Sequence, residues 1–180
     1  FKPFIYSAAL EKGFTAATVI NDAPLFFDAT ATGSQPWEPK NYDGIFEGPM
    51  TLKRGLAKSK NMVSIRILQS IGPQYAQDYV RRFGFDADKH PPYLTMALGA
   101  GSVTPWQMAR MQDATRVGTA ARAASLGRKD LAGKTGTTND HVDAWFAGYQ
   151  PGLVGVAWIG FDQPKKLGAN ETGGLAALPI

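Results

Sequence analysis

The chain has 180 residues, 44% of them hydrophobic and 19% charged, which is the balance of a globular domain, or most of one, with a packed core rather than a disordered chain. It has no cysteine, and its two histidines, His90 and His141, lie far apart. That leaves no disulfide frame, no thiolate site and no metal-ligand spacing, so both histidines read as surface or loop residues and no cofactor is expected. The net charge of +4 comes from scattered lysines and arginines without runs or aromatic interleaving, which speaks against nucleic acid and suits an anionic ligand such as a carboxylate-ended peptide.

No apolar run approaches the roughly 20 residues that span a bilayer; the longest, Leu153 to Phe161, is strand-sized. The first residues lack the pattern of a signal peptide, so any anchor or export signal is expected outside the chain. In chain order, Lys2 to Lys12 reads as a helix. Pro3 is near its start, where a missing N–H costs nothing. Phe4, Ile5, Ala8 and Ala9 recur at helical spacing, and Gly13 stops it. Residues 14 to 50 read as strand fragments and loop: Thr18-Val19-Ile20 as a short strand, Asn21-Asp22-Ala23-Pro24 as a turn, and Gln35 to Gly44 as a loop of turn formers and aromatics.

Thr51 to Ile71 is helical in pattern, with Leu52, Leu56, Val63, Ile67 and Leu68 on one face. Ser59-Lys60-Asn61 interrupts it with three polar residues, and such a break can aim polar side chains into a cleft. Pro73 to Phe83 is a third helix, ended by Gly84. Leu94 to Gly101 is small and apolar, and Thr104-Pro105-Trp106 opens another helix with Thr104 as its cap. Asp130 to Gly133 leads into an edge strand carrying Lys134-Thr135-Gly136-Thr137-Thr138. Ala144 to Tyr149 and Val154 to Phe161 are β-rich runs joined at Gln150-Pro151-Gly152, a hairpin. Helices first and at least three antiparallel strands last give an α+β plan.

Taken singly, the polar motifs are weak. Lys134-Thr135-Gly136 alone reads as a turn with a solvated lysine, and Ser59 and Asn61 as a capped helix break. Their order along the chain says more. A lysine at a helix start, Ser59-x-Asn61 and Lys134-Thr135-Gly136 resemble the Ser-x-x-Lys, Ser-Asp-Asn and Lys-Thr-Gly set of penicillin-binding proteins and class A β-lactamases. The stretches Trp37-x-Pro-x-Asn41-Tyr42-Asp43-Gly44, Gly48-Pro49-Met50-Thr51-Leu52 and Asp143-Ala144-Trp145-Phe146-x-Gly148-Tyr149 extend the likeness over nearly the whole chain, to the transpeptidase domain of class A, bifunctional penicillin-binding proteins.

That resemblance implies a penicillin-binding/β-lactamase-like serine acyltransferase fold, an antiparallel sheet with a helical subdomain. It implies a D,D-transpeptidase that cross-links peptidoglycan stem peptides and is a target of β-lactam antibiotics. It also implies an upstream glycosyltransferase domain and a membrane anchor, on the periplasmic face of the cytoplasmic membrane. A penicillin-sensing module that acylates without turnover is the alternative; a non-catalytic scaffold would not need both Asn61 and Lys134-Thr135-Gly136. The chain departs from the pattern in three places. The nucleophile three residues before Lys2 would precede Phe1, and none of Ser7, Ser34, Ser59, Ser64, Ser70, Ser102 and Ser125 is followed by lysine three places on. The stretch around residues 109 to 112, before Arg116 to Ala120, is shorter than the family's, and Thr172 to Ile180 reads as the approach to a last helix. Residues 1 to 180 are therefore expected to be most of one transpeptidase domain.

The resemblance also gives roles. A serine hydroxyl needs a base, and Lys2, one turn after it, is that base if burial or a neighbouring cation lowers its pKa. Ser59 relays a proton to the leaving nitrogen. Asn61 binds the substrate amide and holds Lys2, and Lys60 points away from the cleft. Lys134, Thr135 and Thr137 receive a terminal carboxylate, Thr138 is a further substrate-binding candidate, and Gly136 leaves room for an extended ligand along the strand edge. The Thr137 N–H is the oxyanion donor. Trp37, Tyr42 and Trp145 are candidates for the cleft wall, with core packing the stronger reading for each. No glutamate lies between Met62 and Gly133, where class A β-lactamases carry the one that activates the deacylating water.

Overall fold

Near the N-terminus, an apolar helix start behind a proline folds against a second helix far along the chain. The computed structural model describes residues 1–32, 35–104, 132–150 and 153–180. The chain divides into two units, one of Phe1–Arg82 with Asp86–Ser102, the other of Phe83–Phe85 with Val103–Ile180.

In the first unit, α1 (Lys2–Glu11) has Pro3 in its first turn and gives way to Gly13 at φ 91°. A short strand, β1 (Val19–Asp22), is followed by one helical turn, α2 (Ala29–Thr32), and pairs antiparallel with β2 (Gly48–Thr51), Val19 facing Thr51 and Asp22 facing Gly48. Asn21 and Asp22 thus lie in a strand, not in the expected turn. Both are poor strand formers, and what outweighs propensity is the burial of the Asp22 carboxylate on long-range partners described below. Thr51 caps α3 (Leu52–Ala57) by accepting the Arg54 N–H at 3.3 Å. After the polar break comes α4 (Asn61–Ile71), then Gly72 at φ 90° and α5 (Pro73–Tyr79), continued by a 3₁₀ turn to Phe83. Only a glycine takes that turn without strain.

The core of this unit is α4 with the face of α1 that meets it. Met62, Val63, Ile65, Ile67 and Leu68 are buried, as are Phe4, Ile5, Ala8 and Ala9 of α1 and Met96 and Ala97 of the 3₁₀ segment Leu94–Leu98. Each large side chain so buried contributes about 1.5–3 kcal/mol, enough for the pair to place the residues at their ends. His90 is 1% exposed and stacks on Phe1 with ring centroids 4.7 Å apart. His90 lies in a bend after a short 3₁₀ turn, as a loop histidine would, but the expectation of a surface position is corrected, and burial pushes its imidazole below the usual value.

The second unit holds a three-stranded antiparallel meander, β3 (Ala132–Thr137), β4 (Ala144–Gln150) and β5 (Leu153–Ile159), with β3 at one edge. Gln150 faces Leu153 across the expected hairpin, whose residues 151–152 lie outside the described ones. Trp145 and Trp158 are a cross-strand pair with centroids 5.9 Å apart, and Trp158 Nε1 donates to Asp143 at 2.9 Å. A short π-helix, Gly173–Ala177, packs on β3 and β4. The expected helix after Thr104 and the short stretch near 109–112 also lie outside the described residues. Helices with antiparallel sheets make this an α+β fold, as expected. Among the described residues no helix is long and apolar enough to cross a membrane.

Candidate active site

Lys2 stands in the first turn of α1, and its ammonium reaches the junction of α3 and α4. Nζ donates to the Ser59 carbonyl at 2.6 Å, to Asn61 Oδ1 at 2.6 Å and to Ser59 Oγ at 3.2 Å. Three residues that the sequence offers as catalytic candidates therefore meet within one unit.

The junction is built for this. Ser59 has φ 55°, a left-handed conformation that costs a non-glycine residue about 1–3 kcal/mol and persists only where the surroundings over-determine it. Its strain turns the chain so that α4 begins at Asn61. Asn61 Nδ2 donates to the Lys40 carbonyl at 2.7 Å, which fixes the amide with its oxygen toward Lys2. Lys60 turns the other way. It is 2% exposed, and its Nζ lies 2.9 Å from Asp43 Oδ2, 3.1 Å from Glu47 Oε1 and 3.6 Å from Asp22 Oδ2, and donates to the Ile45 carbonyl at 3.0 Å. Burial pulls its pKa down, and Asp43 and Glu47 more than reverse that.

In the second unit, Lys134 Nζ donates to the Thr135 carbonyl at 2.8 Å, and burial pushes its pKa down to about 8. Thr135 is buried. Thr137 Oγ1 accepts the Gly173 N–H at 3.0 Å, which leaves the hydroxyl hydrogen to donate elsewhere. Thr138 Oγ1 accepts the N–H groups of Val142 at 3.1 Å and Asp143 at 2.8 Å, so this hydroxyl braces the turn from β3 to β4. A Cβ on Gly136 would lie 3.3 Å from Trp145 Cβ. Trp37 stacks on Phe27 with centroids 5.4 Å apart, but Tyr42 is 71% exposed and the core reading of it is corrected.

Asp22, which reads as a turn residue, and Asn41, which reads as part of a family stretch, also support this junction. Asn41 Oδ1 accepts the N–H of Asn61 at 2.8 Å and Nδ2 donates to Asp22 at 2.7 Å. Among the described residues no group of three or more His, Asp and Glu side chains could hold a metal.

The family model of the penicillin-binding protein transpeptidase domain matches residues 1–115. The chain is 43% identical over 235 aligned residues to penicillin-binding protein 1A of Neisseria meningitidis, covering 100% of this chain and 29% of that protein. It is 34% identical over 280 residues to penicillin-binding protein 1A of Pseudomonas aeruginosa, covering 100% and 34%. The crystal structure of penicillin-binding protein 1A from Haemophilus influenzae superposes with a TM-score of 0.90 at 29% identity, covering 99% of this chain and 40% of that one. The chain thus spans well under half the length of the curated relatives it matches.

Proposed function

Because this chain belongs to the penicillin-binding protein transpeptidase family, we propose that it forms most of a serine D,D-transpeptidase domain that cross-links peptidoglycan stem peptides and is acylated by β-lactams. In this reading the nucleophilic serine lies three residues before Lys2, and the family's last helix follows residue 180. A glycosyltransferase domain and membrane anchor lie upstream, with the domain on the periplasmic face of the cytoplasmic membrane. Alignments of 235 and 280 residues against a chain of 180 mean that these relatives carry residues this chain lacks, and this reading puts the shortened stretch near residues 109 to 112. The sensor alternative is not favoured, since the matched relatives are named penicillin-binding protein 1A.

The observation that carries the reading is the Lys2 ammonium held on Ser59 and Asn61. As a neutral amine, Lys2 takes the serine proton while Oγ attacks the carbonyl of the penultimate D-alanine. The 3.2 Å contact to Ser59 Oγ carries a proton on to the leaving nitrogen as the C–N bond breaks, and terminal D-alanine departs. An amine of a second stem peptide then attacks the ester and restores the serine. Lys134 and the Thr135 and Thr137 hydroxyls receive the carboxylate, Thr138 stabilises the turn behind them, and the Thr137 N–H supports the oxyanion. Such a donor is typically worth roughly 10²–10³ in rate.

The test is covalent labelling of the longer protein with a fluorescent penicillin, followed by denaturation and peptide mapping. The label is expected on the serine three residues before Lys2, to vanish in Lys2→Ala, and to be absent from residues 1–180 alone. A label on any serine within the chain would overturn the reading.

A further inference from the structure

Behind the Ser59–Asn61 turn lies a buried polar lattice that the chemistry above does not use. Asp22, 0% exposed, accepts the Asn41 Nδ2 hydrogen on Oδ1 at 2.7 Å and the Glu47 backbone N–H on Oδ2 at 3.0 Å. Asn41, also buried, gives its second amide hydrogen to the Ile45 carbonyl at 2.8 Å, and its oxygen accepts the N–H groups of Asn61 and Met62 at 2.8 and 3.4 Å. Lys60 closes the lattice onto Asp22, Asp43 and Glu47.

Two features of this lattice point beyond stability. First, α4 takes no side-chain cap from its own N-cap residue, Lys60. A serine, threonine or aspartate there would satisfy the helix end locally. The cap comes instead from Asn41, twenty positions earlier, so the place of Asn61 depends on where Asn41 is held. Second, a buried ion pair is weak evidence for stability, because desolvation offsets attraction; its best-attested use is to fix one geometry among several. Here the geometry fixed is that of the residues on either side of Lys60. Ser59 is left-handed with its carbonyl and hydroxyl toward Lys2, and Asn61 has its amide oxygen toward the same ammonium.

We propose that Asp22, Asn41 and Lys60 are positioning residues that hold Ser59 and Asn61 in register with Lys2 and thereby set the rate of the acylation step. The proposal rests on the acyltransfer reading. None of the three touches the reacting atoms; each acts through the turn. Displacements of about 1 Å among reacting groups cost up to roughly 100-fold, and a loosened turn would move Ser59 and Asn61 on that scale.

The experiment follows the labelling of the full-length protein over time at a series of penicillin concentrations. It separates the limiting rate, the concentration for half-saturation and the final labelled fraction. Asn41→Ala and Lys60→Met are expected to lower the limiting rate by at least about tenfold, leaving half-saturation within about twofold and the final fraction at the wild-type level. Arg54→Met removes an exposed partner of Glu47 from the same acidic group and is expected to label at the wild-type rate. If the limiting rates are unchanged, or only the labelled fraction falls, the lattice is structural and the proposal fails. Variants that yield no labelled protein at any temperature from 4 to 37 °C would overturn it in the same way. Asn41→Ala removes no charge and keeps the test open if Lys60→Met does not fold. Wild type without label overturns the acyltransfer reading and this proposal together, whereas failure confined to the variants bears on the proposal alone.

Discussion

Lys134 carries opposed demands on a single ammonium. Burial pushes its pKa from 10.5 to about 8, so between those values the unfolded chain binds more protons than the folded one, and stability rises with pH across that window. Below about pH 8 the charge is present in both states and the burial cost is in full force. The substrate carboxylate of the proposed function would act in the other direction, favouring the ammonium. Lys134→Met should therefore raise the melting temperature at pH 7, with the gain fading as pH approaches 10.5. It should also slow acylation by about 10- to 100-fold, the worth of a charge-assisted hydrogen bond. Wild-type acylation should fall as pH rises through about 8, while Lys134→Arg should lose that limb because guanidinium keeps its proton. Labelling rates from pH 6 to 10 check this, and a flat wild-type profile would remove Lys134 from carboxylate recognition.

Among the elements, the π-helix Gly173–Ala177 depends on a close approach to the sheet. A Cβ at Gly173 would collide with the Trp145 carbonyl oxygen and come within 2.5 Å of Gly136 O and 3.0 Å of Gly136 N. All three atoms are backbone, so no side chain can rotate away. Gly173→Ala should cost about 1–3 kcal/mol, as overpacking does, and disturb the Gly173 hydrogen bond to Thr137. Chemical denaturation measures the first effect; an unchanged midpoint would show that the helix shifts freely. Elements of this kind differ in how far the sequence discloses them. Pro3 and Gly13 bracket α1, and three polar residues in an apolar helical pattern mark the junction at Ser59, because these signals act on their own neighbours in the chain. The paths of Asn21-Asp22 and His90 were not legible. The Asp22 carboxylate is satisfied by residues 19 and 25 positions away, and His90 is buried by Phe1. The motif residues Lys2, Ser59 and Asn61 could be named from the sequence for their residue types and order. The hydrogen bond from the Asn61 N–H to Asn41 could not, since a contact across twenty residues leaves no periodic trace.

Over the whole chain, the distribution of acids bears on what becomes of an acyl-enzyme. Rapid hydrolysis requires a base beside the ester, and class A β-lactamases supply a glutamate between the second and third motifs. Here residues 62 to 133 contain no glutamate, and their acids are Asp78, Asp86, Asp88, Asp113 and Asp130. Asp78 and Asp88 lie 4.0 and 3.5 Å from the Arg81 guanidinium. Asp86 caps its own 3₁₀ turn by accepting the Asp88 N–H at 3.2 Å. Asp113 and Asp130 lie outside the described residues. An aspartate is one methylene shorter than a glutamate and would have to stand closer to a water to activate it. General-base assistance is worth about 10²–10⁴ in rate, so without it the ester to a ring-opened β-lactam should outlast the encounter by a wide margin. The full-length protein is therefore expected to be inhibited by β-lactams and not to destroy them. Label retention after removal of free fluorescent penicillin measures this directly. Loss within seconds, with steady release of hydrolysed antibiotic, would mean that one of these aspartates, or a base elsewhere in the longer protein, activates the water.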